Sequence, residues 1–274
     1  MAPGFARSIS LPLSPTHKKA SYHVRSVSLP CRSHPLISNL EEQIRGIRSW
    51  AATTEGSLAW IETGLMQIEL LHTALEDFLQ LSQTQETLQQ SASVDLLLDD
   101  LLEQIDTYES FVSTIVDLKQ CNSEVQSAIR RQDEVQMISS LRTHRHVEKE
   151  ITRLTSVLKG LSKCRHFALA SDAKELEIAG IVMEAISATA FASMALFMGI
   201  QALSAKATTG LKPSKNLMVH LFGKKRPTEE EINTLERLQE FVNCIRNVEC
   251  CSERVFRSLI CIRVSILNIT TPSL

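Results

Sequence analysis

Twenty-six consecutive residues, Ile178 to Leu203, hold a single charge, Glu184. A helix that is apolar on every side has to be buried in protein or in lipid. On both sides of this segment the apolar positions recur at helical spacing. Leu58, Ile61, Leu65, Ile68, Leu75 and Phe78/Leu79 mark one helix, with His72 on a seam position. Val94, Leu98, Leu101, Ile105, Tyr108, Val112 and Ile115 alternate steps of four and three, and Asp95, Asp99, Glu103 and Asp106 fall on the opposite, solvated face. A further set runs through Ile138, Leu141, Val147, Ile151, Leu154, Leu158 and Leu161. The last runs through Leu235, Leu238, Val242, Ile245, Val248, Val255, Leu259, Ile262, Ile266 and Ile269.

Start and stop signals punctuate this pattern. Ser38 with Glu41 reads as a capping box opening a helix that ends near Ala52, and residues 53–57 break it. A polar, Gln-rich interval, 82–93, precedes the Val94 helix. Asp172 with Glu175 is a candidate cap for the apolar helix, and Thr228 with Glu231 for the last one. Between them, residues 206–226 carry six basic residues and no acid, with Gly210, Pro213 and Gly223, so a loop is expected. The fold class is therefore all-α: a bundle of five or six long helices around the apolar central one, in a single domain over residues 35–270.

Composition agrees with helices and adds an asymmetry. The chain has 274 residues, 43% of them hydrophobic, with only nine Gly and eight Pro. Its net charge is −2, which speaks against general nucleic-acid affinity. Residues 1–34, however, hold Arg7, Lys18, Lys19, Arg25 and Arg32 and no acid, so the rest of the chain carries a net −7. This tail is rich in Ser and Pro, lacks apolar periodicity and is expected to form no packed structure. Seven scattered cysteines and the absence of a secretory signal pattern point to reduced thiols, with Cys121, Cys244 and Cys261 read as small core residues.

The tail contains a repeat. Arg7-Ser8-Ile9-Ser10-Leu11-Pro12 returns as Arg25-Ser26-Val27-Ser28-Leu29-Pro30. Arg7 and Arg25 stand three residues ahead of Ser10 and Ser28, a spacing that a basophilic kinase reads. R-S-x-S-x-P also resembles the phosphoserine motif held by 14-3-3 proteins, with Pro12 and Pro30 turning the chain out of the groove. Two copies eighteen residues apart reach up to about 60 Å, enough to address both grooves of a 14-3-3 dimer. A competing reading takes the acid-free, Ser- and Arg-bearing tail as a chloroplast transit peptide.

Candidate chemistry is sparse. The chain has no G-x-G-x-x-G, Walker A, H-E-x-x-H or G-x-S-x-G signature. Glu69-Leu-Leu-His72 matches one half of a di-iron motif, but that site needs two copies and two further Glu, so His72 reads as a core histidine. His144 and His146, like Cys164 and His166, are two apart and face different sides of a helix. Cys250-Cys251 lacks the C-x-x-C spacing. No metal, cofactor or enzymatic activity is expected. The charge-free run 185–205 is long enough to cross ~30 Å of hydrocarbon. Because Ala, Ser, Thr and Gly dilute it, a buried core helix is the preferred reading and a single transmembrane segment the alternative.

Two end motifs carry a family resemblance. Tyr22 to Pro35, YHVRSVSLPCRSHP, and Ser252 to Thr270, SERVFRSLICIRVSILNIT, resemble the two ends of the plant BYPASS1-like family, and the likeness extends over about residues 22–270. The resemblance implies an all-helical plant protein of unassigned biochemistry, whose founding member is tied to root and shoot development. It brings no catalytic residues. The expectation is a cytoplasmic scaffold or regulator acting through protein partners, with membrane or chloroplast association as the alternatives.

Overall fold

A computed structural model describes residues 34–53, 55–163, 173–211 and 229–271. Seven helices and no strands occur among them: α1 (Pro35–Ala52), α2 (Leu58–Leu79), α3 (Ser82–Gln90), α4 (Val94–Arg131), α5 (Glu134–Leu161), α6 (Ala173–Ala207) and α7 (Glu229–Thr270). Six are long, as the periodicity predicts, and the seventh is the Gln-rich interval. There Thr84 and Leu88 turn inward and give α3 a buried edge.

Local signals explain most boundaries. α1 starts earlier than its expected capping box. His34 is the cap, its Nδ1 accepting from the Leu36 amide at 3.2 Å, and Pro35 occupies the first turn, where a missing N–H costs nothing. Ser57 caps α2 by accepting from the Trp60 amide. α4 ends in Gln132, a non-glycine residue in the left-handed region at φ 57°, and Asp133 at once caps α5 by accepting from the Gln136 amide at 3.0 Å. That two-residue reversal makes α4 and α5 an antiparallel hairpin. Asp172 and Thr228 lie outside the described residues.

The apolar segment is the hub. α6 touches each of the other six helices, which surround it in the order α5, α4, α7, α2, α1, with α3 lying against α6, α7 and α2. Buried residues from all seven helices form one cluster. At its centre Phe111 of α4 stacks on Phe197 of α6 at 3.6 Å between ring centres, and Tyr108 meets both edge-on. Each such side chain contributes about 1.5–3 kcal/mol by leaving water.

Small residues on the hub side admit large ones. Trp50 of α1 stacks on Trp60 of α2, and the Trp50 indole N–H donates to the Trp60 carbonyl at 3.1 Å. A Cβ on Gly64 would lie 2.0 Å from the Trp50 ring, and one on Gly199 2.6 Å from the Trp60 ring. Both glycines are therefore required by close approach.

α6 is long and apolar enough to cross a membrane by length and composition, over Glu175–Ala207, and an 18-residue window within it has a mean hydropathy of 1.8. In the fold 72% of that window is buried by the other helices. Glu184 lies on its open strip and pairs with Arg48 of α1 at 3.8 Å. Met198 and the half-buried Phe191 and Met194 share the strip.

Candidate functional site

The tail positions singled out by sequence, Arg7, Ser10, Pro12, Arg25, Ser28 and Pro30, lie outside the described residues. So do Cys164, His166 and most of the basic 206–226 loop. Among the described residues, polar groups lie buried along α6 and on the charged outer faces.

Two histidines form the polar centres. His72 of α2 is buried, with Nδ1 2.6 Å from the Ser258 hydroxyl of α7 and Nε2 3.3 Å from the Thr189 hydroxyl of α6. Both hydroxyls also reach a carbonyl of their own helix, Thr189 that of Ala185 and Ser258 that of Val255, and a neutral imidazole has one N–H to donate and one ring nitrogen to accept between them. Burial pulls the imidazole down to about 3 from its ordinary 6.5. A neutral ring tying three helices together is what the structure makes of the Glu-x-x-His pattern. Glu69 points away and pairs with Arg254 at 2.9 Å.

His144 of α5 was not singled out for its partners, yet it sits in a serine–histidine–glutamate cluster. Its Nε2 is 3.0 Å from the Ser204 hydroxyl of α6, and its Nδ1 is 3.7 Å from Glu148 Oε1. The same carboxylate oxygen also lies 3.2 Å from Ser204 Oγ. In a hydrolytic triad the acid orients the far side of the imidazole and leaves the serine free to attack. Here the acid engages the serine itself, and Ser204 is fully buried. The cluster works as a clamp between α5 and α6. Burial lowers the His144 pKa, Glu148 opposes the shift, and Arg145 adds to it. His146, two residues on, is exposed, so the pair divides between faces as its spacing predicts.

Other polar groups of α6 are spent in the same way. Tyr108 and Ser193 share a 2.7 Å hydrogen bond, Gln104 of α4 donates to the Ile186 carbonyl at 3.2 Å, and Ser187 donates to the Ser162 carbonyl at 2.9 Å. Among the described residues no cluster of His, Cys, Asp or Glu is arranged to hold a metal ion.

The five described cysteines are free thiols. Cys121 and Cys244 are buried, and burial raises both pKa values, that of Cys244 to about 11. Cys261 corrects the sequence reading: it is exposed, because Leu259 and Ile262 take the inward positions of that turn and rotate it outward. Cys250 and Cys251 lie on the α7 surface beside the Arg254 guanidinium.

Comparison with known proteins adds one finding. A family model described as Protein BPS1 matches residues 64–269, from within α2 to the last turn of α7, and leaves the Tyr22–Pro35 motif outside the match. No curated protein and no solved structure matches the chain.

Proposed function

Because the chain belongs to the BYPASS1-like family, we propose that it is a non-enzymatic scaffold or regulator of the BYPASS1 type that acts through protein partners. The observation that carries this reading is how α6 spends its polar groups. Ser187, Thr189, Ser193 and Ser204 all bond to groups on neighbouring elements, so the reactive side chains of the interior serve as bracing. What remains to meet other molecules is the charged outer surface and the tail. A role in root and shoot development follows from the family resemblance alone.

In this reading the tail is the regulated part. Ser10 and Ser28 are phosphoacceptors, Arg7 and Arg25 recruit the kinase, and the doubly phosphorylated tail docks on a 14-3-3 dimer through the grooves' basic residues. The test uses a peptide of residues 1–36 carrying no phosphate, either one, or both. Double phosphorylation is expected to tighten binding well beyond either single one; no gain from either phosphate ends the proposal.

The apolarity of Glu175–Ala207 favours a second reading, a helical protein anchored by one transmembrane segment near residues 185–205. It would require α6 to leave the six helices that surround it and to carry Glu184 and its buried hydroxyls into lipid.

A further inference from the structure

The α4–α5 hairpin presents two outward stripes of opposite charge. On α4, Asp95, Asp99, Glu103, Asp106, Glu109 and Asp117 are exposed and follow one helical meridian. On α5, Arg142, Arg145, Lys149, Arg153, Lys159 and Lys163 run to the helix end and just past it, and all are exposed. Of these twelve only Arg153 is engaged by an acid, Glu150 of its own helix. No ion pair crosses from α4 to α5 among the described residues, because both stripes point outward.

The hairpin sets their register. The reversal at Gln132 and the 3.3 Å hydrogen bond from Ser140 to Glu124 put the two helices antiparallel, with Ser140 level with Glu124. Counting along at the helical rise, Asp117 stands level with Lys149 to within about two residues, Asp106 with Lys159, and Glu103 with Lys163. Over a shared length of about 24 Å, acids on one helix match bases on the next.

We propose that this face is the contact surface of a homodimer, with a second copy of the chain seated on it about a two-fold axis parallel to the hairpin. Such an axis keeps every height unchanged and places the α4 stripe of one copy over the α5 stripe of the other, twice by symmetry. A perpendicular axis in the same plane would set acid against acid. Leu102 and Val116, which remain about 40% exposed beside the acids, then meet the aliphatic stems of the opposing lysines and arginines. The pairing of signs selects this occupant over others. A flat anionic membrane or a nucleic acid laid on the α5 bases would also meet the α4 acids, and an acidic peptide would fill only half the surface.

The test is the mass of the full-length chain by sedimentation velocity. A dimer is expected at low salt, dissociating near 1 M salt, where screening shortens the reach of charge to about 3 Å. Two variants then locate the surface: Lys149→Glu/Lys159→Glu, which sets acid against Asp117 and Asp106, and Asp106→Lys/Asp117→Lys, which sets base against Lys159 and Lys149. Each alone is expected to weaken self-association by about tenfold or more, with its helical circular dichroism unchanged. Mixed one to one, they restore complementarity and form a heterodimer. A parent chain that is monomeric at ~100 µM and low salt overturns the proposal, given the typical strength of specific pairing. So does a dimer indifferent to the reversals, or a mixture that stays monomeric.

Discussion

Tyr108 of α4 and Ser193 of α6 hold their hydroxyls 2.7 Å apart at a depth where neither meets water. The bond fixes the rotation of the hub helix against α4. Tyr108→Phe removes the partner of Ser193, whose hydroxyl has only its own helix to turn to. The expected cost is about 1 kcal/mol, read as a lower urea midpoint with unchanged slope. Ser193→Ala strands the Tyr108 hydroxyl and should cost about 1–3 kcal/mol. Because each single change removes the same bond, the double variant should be less destabilised than the two combined; full additivity would mean that the hydroxyls do not interact.

The tryptophan pair offers a second check, since Trp50 and Trp60 are the only two in the chain. Gly64→Ala and Gly199→Ala push a methyl into the Trp50 and Trp60 rings, respectively, and each should cost about 1–3 kcal/mol or more while altering intrinsic fluorescence. Gly46 lies on α1 with nothing within 4 Å of an added Cβ. Gly46→Ala should therefore stabilise by up to about 1 kcal/mol through helix propensity and leave fluorescence alone.

Acid should destabilise the bundle through its buried histidines. His72 is held neutral at about 3 in the folded chain and titrates near 6.5 when unfolded. Below pH 6.5 the unfolded state binds a proton that the folded state refuses, so stability is full above 6.5 and falls as pH drops toward 3. The largest slope is about 1.4 kcal/mol per pH unit for one histidine. His144 contributes in the same direction. Urea midpoints at pH 7.5, 6 and 5 should fall in that order, and His72→Gln should flatten the fall; a flat profile in the parent chain would contradict the burial of both rings.

Leu101 is almost fully buried, whereas Ile105, which the four-three spacing places on the same seam, is only partly covered. The inward face of α4 runs instead through Leu97, Leu101, Gln104, Tyr108, Phe111, Ile115 and Leu118. Leu101→Ala should cost about 2–5 kcal/mol and Ile105→Ala clearly less, by thermal or urea unfolding.

That shift of seam shows where the hydrophobic pattern stops being informative. Gln104 looks like a surface residue in sequence. It is fully buried because the Ile186 carbonyl of the hub accepts its amide, a partner 82 positions away. The link between Ser204 and His144 escapes notice for the same reason, since a clamp across two helices leaves no local spacing to read. Thr84 and Leu88 likewise hide a short helix inside a Gln-rich stretch. The hub itself was legible because twenty-six residues with one charge admit few other places. The pairing of the α4 and α5 stripes was not, since it depends on the register set by the turn at Gln132.

Alkaline carbonate extraction of the full-length chain bears most directly on the place of α6 at the centre of a water-facing bundle. With the hub packed against six helices and its hydroxyls bonded to them, the chain should be released into the supernatant. Retention in the pellet until detergent is added, with its two ends reported on opposite sides of the membrane, would contradict the account.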